Sequence, residues 1–395
     1  MSRARRRGAC ASFILVAGLC SSQGAQSAEA IDYVVDCQRL GSAYVALPGT
    51  DTCLKIAGEV RADYVVPTDR SVDDLDFRSG AILKFDARTS TDFGTLRSFV
   101  ELSGGSSSLT VSKAYIQLGG LTAGWAGSAY RFFDAAYAST IFTGLYAPAH
   151  TTNRLSYTAL LGEGIYATLS LEDGVNARTT ITPVYGEFDT PFTAGYGGHE
   201  LPDAVVALGL NQDWGKAQIM GAVHQITYAD VQDVPPGPSP LATLSDDAGF
   251  AVGAGVGVNL PLTYGGHWAV EANYAEGAMR YLGLSDADAF VEYVGDFNVS
   301  AAKGWSVASE LQAGLSETVL GTLFGSYVDY QAPSFVVADY TSLLVGGNVA
   351  LAVTQGLSVG AEVTYERRVS NEDAPFEDAQ TTDTVSGGAR IKRLF

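Results

Sequence analysis

Charge is scarce in this chain, and positive charge scarcer still. Only 17% of the 395 residues are charged, and 24 Lys+Arg stand against 43 Asp+Glu, a formal charge of −19. An ordinary soluble domain carries about 25% charged residues. Nucleic acid needs a basic face, so it is excluded as a partner. Four cysteines are too few for a disulfide scaffold of this length. No apolar run reaches 18 residues, which excludes a bundle of membrane helices. Coiled coil and disordered chain are excluded by the same composition. What is abundant is glycine, 45 residues, and tyrosine, 20. Glycine at about 11% exceeds the usual ~7%. Together these describe a β-rich protein in an unusual solvent.

Residues 1–30 read as a cleaved secretory leader. Arg3, Arg5, Arg6 and Arg7 precede an apolar stretch over 9–19, and Ala28-Glu29-Ala30 has the small-x-small form of a cleavage site. The stretch is too short to span a bilayer. The mature chain, 31–395, then forms one domain with a charge of −22. Only Cys37 and Cys53 survive cleavage, and an oxidising compartment predicts a disulfide between them.

From residue 54 onward, apolar and polar residues alternate. Leu54, Ile56, Val60 and Tyr64 interleave with Lys55, Glu59, Arg61 and Asp63. Phe77, Leu83 and Phe85 interleave with Arg78, Lys84 and Asp86. Period two means strands with two unlike faces. A sandwich would alternate as well, but here the polar faces carry full charges and the apolar faces end in aromatics. That pattern predicts an all-β, closed antiparallel transmembrane barrel, with lipid outside and water within. About 16 strands are expected, near 54–64, 77–88, 96–102, 109–118, 121–127, 154–160, 164–172, 203–212, 215–227, 248–259, 267–276, 305–312, 319–330, 342–352, 357–368 and 385–395. Pro235 to Pro240 must be a loop.

Several stretches resemble the general porins of alphaproteobacteria. Val34-Val35-Asp36-Cys37 and Leu47-Pro48-Gly49-Thr50-Asp51-Thr52-Cys53 carry the likeness, as do Gly119-Gly120-Leu121-Thr122-Ala123-Gly124 and Leu169-Ser170-Leu171-Glu172-Asp173. Trp214-Gly215-Lys216, Asn273-Tyr274-Ala275-Glu276-Gly277 and Phe324-Gly325-Ser326-Tyr327 extend it to most of the mature chain. The resemblance implies a 16-stranded trimeric barrel in the cell outer membrane, touching lipid and lipopolysaccharide. It implies passive diffusion of small hydrophilic solutes and ions; from the residue patterns themselves no enzymatic activity, cofactor or metal is expected. Two features depart from the family pattern: Trp125 stands where a basic residue is usual, and Asp134 is the main carboxylate of the following loop.

Residues 128–153 are long for a hairpin connection and rich in aromatics. Such loops are usually functional. With the resemblance, this one is expected to fold into the barrel and narrow it. Basic residues concentrate before it: 51–131 hold nine basic and ten acidic residues, 132–395 ten and thirty. Arg61, Arg78, Lys84, Arg97, Glu101, Lys113, Arg131 and Asp134 are the candidate pore-lining and constriction residues. The competing reading pairs these cations with Glu59, Asp63, Asp86 and Glu101 as ordinary wall charges. Gly253, Gly255 and Gly257 lie in an alternating strand with no helix after it, so a nucleotide loop fails its context and a packed neighbour is expected instead.

Two functions fit: a general diffusion channel, or a substrate-selective channel with a weak saccharide or anion site on the basic wall of the first four strands. A hydrolase barrel would need a Ser, His and carboxylate cluster, and nothing marks one. Glu172, Asp203, Asp213, Glu271, Glu310, Glu362 and Glu366 lie in or beside strands. If they line the mouths, weak cation preference is expected, opposed by the basic wall.

Overall fold

A strand that meets a different solvent on each face is held in one register, since a slip of one residue turns its whole apolar set the wrong way. Sixteen such strands build this molecule. The computed structural model describes residues 37–41, 43–66, 75–105, 107–133, 139–184, 200–227, 246–293, 297–333, 337–370 and 380–395. The expected leader, the loop at 235–240 and Asp134 lie outside the described residues.

The long strands are β1 (Thr52–Val66), β2 (Asp76–Thr91), β3 (Gly94–Gly105), β4 (Leu109–Leu118), β5 (Leu121–Gly127), β6 (Thr151–Gly162), β7 (Ile165–Glu172) and β8 (Asp203–Gln212). They continue as β9 (Gly215–Thr227), β10 (Asp246–Asn259), β11 (Gly266–Glu276), β12 (Lys303–Gly314), β13 (Val319–Gln331), β14 (Tyr340–Thr354), β15 (Leu357–Ser370) and β16 (Thr381–Leu394). Each pairs antiparallel with the next, and β16 returns to β1 with Arg390 opposite Asp63, which closes the sheet. The strands fall where the alternation predicts them. The last begins earlier than expected, because Thr381 to Thr384 pair with Val369 to Glu366 of β15.

Tight turns gather at one end of the barrel. Gly119, Gly164 and Gly356 there take φ of 56°, 76° and 73°, which a side chain would strain. The start of β1 and the end of β16 lie at the same end. A 3-10 turn, Cys37–Leu40, is joined to the start of β1 by the predicted disulfide, Cys37–Cys53, with Cα atoms 5.6 Å apart. Long connections gather at the other end. Two of them supply a small sheet in which 289–293 pairs antiparallel with 297–301 and parallel with 181–184.

The outer face is apolar. Leu155, Tyr157, Leu169, Ile219, Leu323 and Val363 are each more than half exposed, far more than a water-facing surface carries in one band. Aromatic rings rim this band. Phe250 and Tyr274 lie 5.9 Å apart between ring centroids and Trp305 and Tyr327 5.0 Å apart at the loop end, while Trp214 and Trp268 stand near the turns. This is the outside of a barrel set in lipid.

The interior divides in two. On β8 to β12 the inward positions include Ala207, Ala222, Ala251, Ala269 and Ala308, all buried. Small side chains leave room there, and Tyr130, Phe132, Phe133, Met279, Tyr281 and Leu282 fill it. On β1 to β4 and β16 the inward positions carry long charged side chains instead.

Candidate functional site

The segment after β5 supplies the first part of the site. Its backbone amides leave the sheet and would be unpaired in a barrel interior. Inward-facing carboxylates take them up. The Ala129 N–H donates to Glu172 Oε1 at 2.8 Å and the Ser139 N–H to Glu310 Oε2 at 2.8 Å. Three successive amides, Ile141, Phe142 and Thr143, donate to Glu362 at 2.6, 2.9 and 2.9 Å. The Phe133 N–H reaches Glu271 Oε2 at 3.4 Å. Arg390 Nη1 donates to the Ile141 carbonyl, and its guanidinium lies 4.8 Å from the centre of the Phe142 ring. Residues 129–133 therefore lie against the inner wall at β7 to β11, and residues 139–143 at β12 to β16.

Glycines on β10 receive its rings. A Cβ built on Gly255 would stand 2.4 Å from the Phe132 ring, and one on Gly253 2.7 Å from the Tyr130 hydroxyl. The packed neighbour expected for this stripe is the loop itself. Further along, the Tyr146 hydroxyl donates to Glu366, and burial, reinforced by that carboxylate, pushes it up to about 12. His150 ends the segment with its ring 5.1 Å from that of Tyr281 and neither ring nitrogen hydrogen-bonded. Burial, with Arg280 nearby, pushes its imidazole down to about 4.

Across from the segment, the charges of β1 to β4 and β16 form two clusters of one carboxylate and two cations and a third in which Arg61 meets both Asp63 and Glu59 and Arg390 meets Asp63. Asp86 accepts from Arg97 Nε and Nη2, both at 2.9 Å, from Arg88 Nε and Nη2 at 3.1 and 3.0 Å, and from the Tyr44 hydroxyl at 2.9 Å. Glu101 lies 3.5 Å from Lys84 Nζ and 3.6 Å from Lys113 Nζ. Asp63 takes a bidentate pair from Arg390 at 2.6 and 2.7 Å and sits 3.8 Å from Arg61 Nε. Phe99 and Tyr115 stack at 5.1 Å, and the Arg97 guanidinium lies over both. A cavity of about 1030 Å³ opens between this wall and the segment at the loop end, with Arg61, Arg78, Phe142, Glu366 and Arg390 among its lining.

Of the residues named from the sequence, Arg61, Arg78, Lys84, Arg97, Glu101 and Lys113 share the inward phase of neighbouring strands. These cations share one inward phase and are paired with wall carboxylates. Arg131 sits apart, its Nε bonded to the Phe133 carbonyl within its own segment. Sequence reasoning missed Arg390 and the loop-holding role of Glu172, Glu271, Glu310 and Glu362. Their only signal was one carboxylate alone among small or neutral inward residues. Those four are 2% exposed or less. Glu172, Glu271 and Glu310 do not line a mouth, whereas Glu362 and the half-buried Glu366 line the cavity at the loop end and Asp213 is exposed at a turn.

Among the described residues no cluster of His, Cys, Asp and Glu could hold a metal ion.

A family model described as Porin subfamily matches residues 25–388. The chain is 32% identical over 233 residues to the porin Omp2b of Brucella suis; the match takes in 50% of this chain and 61% of that protein. The chain thus spans about three fifths of the curated relative it matches. In fold it is similar to the outer membrane channel DcaP of Acinetobacter baumannii, with TM-score 0.71 at 15% identity over 89% of this chain and 99% of that one. It is similar also to the trimer form of OmpT, an outer membrane protein of Vibrio cholerae, with TM-score 0.54 at 12% identity over 88% of this chain and 100% of that one.

Proposed function

Because the chain belongs to the porin subfamily, a family of outer-membrane β-barrels, we propose that it forms a water-filled channel for passive diffusion of small hydrophilic solutes and ions. One observation carries the reading: a closed sixteen-stranded barrel with an apolar outside and charged clusters inside. Inward charges on a wall sealed from lipid have a purpose only if water reaches them, since burying unsolvated charge is costly. The segment 128–150 is the constriction. It crosses the interior, and its bonds to Glu310 and Glu362 keep it there. Arg61, Arg78, Lys84, Arg97, Glu101 and Lys113 form the facing wall; Arg131 stiffens the segment.

The channel works as a homotrimer, by analogy with the trimer form of the Vibrio cholerae protein. Lipid and lipopolysaccharide are its other neighbours. Purified protein in a planar bilayer is expected to give stepwise conductance, in triplets if the trimer inserts as a unit. Insertion without conductance would overturn the channel; single steps with a monomeric mass in detergent would overturn the trimer.

A further inference from the structure

Opposite charges on the inner wall do not share it equally. In each cluster the cations reach further into the interior than the carboxylate between them. The side chains of Lys84 and Lys113 are 45% and 35% exposed, that of Glu101 11%. Arg88 and Arg97 are 29% and 23% exposed, Asp86 11%. Arg61 is 35% exposed and Asp63 8%. Asp86 and Glu101 have each withdrawn to the wall beneath two cationic heads; Asp63 lies beneath Arg61, its other partner Arg390 being 16% exposed. The Asp86 and Glu101 clusters each carry one more positive than negative charge; the third is balanced, because Arg61 also donates to Glu59 at 3.3 Å.

Register sets these clusters at different heights. Along β2, Asp86 and Lys84 are two residues apart, about 7 Å. Arg61 pairs opposite Gly80 and Asp63 opposite Arg78, so the third cluster lies four to six residues further toward the loop end. Lys55, Arg78 and Lys392 share the inward phase of this wall, with Asp76 as the remaining carboxylate. On the far side, Glu172, Glu271 and Glu310 are covered by the amides they accept, while Glu362 and Glu366 line the cavity at the loop end. Past that cavity, a solute meets the cation pairs on one side and the segment on the other.

We propose that this wall is an anion path: two cation pairs, each backed by one carboxylate, with the balanced cluster of Arg61 and Arg390 beyond them toward the loop end, pass small inorganic anions and small carboxylate or phosphate compounds in preference to cations. The proposal rests on the channel reading and adds its solute class. The bridging carboxylates have a stated part. They hold the cations in place and limit the attraction at each step, so that an anion is drawn in without being trapped. Removing a bridging carboxylate and removing its cations must then act in opposite directions, which pairing for stability alone does not require.

The test is the reversal potential of single channels in a potassium chloride gradient at low salt, repeated with potassium acetate and potassium phosphate. The unsubstituted protein is expected to reverse on the anion side with each salt. Glu101→Gln is expected to shift the potential further toward the anion equilibrium value. Lys84→Gln with Lys113→Gln is expected to shift it back toward zero or past it. Arg61→Gln provides an independent cluster should the double variant fail to assemble. A cation-side potential in the unsubstituted protein, or same-sign shifts from Glu101→Gln and the lysine pair, would overturn the anion path while leaving the channel in place. Absence of conductance would overturn the channel reading itself.

Discussion

Glu362 accepts three consecutive backbone amides and the Asn348 side chain, all with its carboxylate buried. Bonds to a charged group are worth about 1.5–3 kcal/mol each, and three of them share one side chain. Glu362→Ala leaves those amides with nothing to replace it inside the wall. The barrel itself loses no strand pairing, so the variant is expected to insert and conduct, but with larger and noisier steps as residues 139–143 come loose. Unchanged step size and noise would show that the segment is held elsewhere. His150 makes a second prediction at this scale. Its imidazole is held near 4 by burial, below the ordinary value of about 6.5. A base depressed in the folded state binds fewer protons than in the unfolded state. Its contribution is therefore present above about 6.5 and is lost as pH falls through about 4, to the extent of about 3 kcal/mol. Heat or urea melts taken across that window should show stability falling with acidity. His150→Phe, which keeps a ring against Tyr281, should flatten that fall.

At the scale of the element, alternation decides what each side chain touches. Arg78, Lys84 and Asp86 of β2 point inward, while Phe77, Leu83 and Phe85 point to lipid. Cysteine at 82 or 84 should react with a water-soluble thiol reagent, and cysteine at 83 or 85 only with a lipid-soluble one. Inverted labelling would put the register out by one residue, which turns a basic group to lipid at roughly 2–4 kcal/mol near the midplane. The glycines of β10 test the contact between wall and segment. Gly255 is glycine because the Phe132 ring occupies the space of a side chain. Gly255→Val keeps a residue that strands favour but displaces that ring. The expected result is an intact barrel, by circular dichroism and resistance to heat in detergent, whose segment is cut by added protease. If the variant resists protease as the unsubstituted protein does, the ring contact is not what seats the segment.

For the whole molecule, the count of charges misleads and their placement decides. The chain carries 43 Asp+Glu against 24 Lys+Arg, yet the wall that faces the open interior is net positive. Screening makes this testable without mutation. Charges are screened beyond about 8–10 Å near physiological ionic strength and beyond about 30 Å in dilute salt. The anion preference of the wall should persist as salt rises, because an ion in the constriction stays within a few ångströms of the cations. If the preference instead reverses toward cations in dilute salt, distant acidic groups govern permeation.

Much of this was legible in the sequence. Period-two alternation marked all sixteen strands, because each strand faces two solvents and its pattern is local. Charge phase placed Arg61, Lys84, Arg97 and Lys113 inside for the same reason, and two cysteines in an exported chain announced their bond. The aromatic stretch after β5 was conspicuous as too long and too apolar for a solvated loop. What the chain could not show locally was which carboxylate meets which partner. Glu362 and Ile141 are 221 residues apart, and Asp63 and Arg390 are 327 apart. Those meetings exist only once β16 closes on β1 and the segment lies across the interior. Closure turned four acidic side chains, Glu172, Glu271, Glu310 and Glu362, into anchors of the segment, and it left the cations of the first four strands facing the open space. The composition determined a barrel in lipid. Only the closed ring decided which of its charges a passing solute would meet.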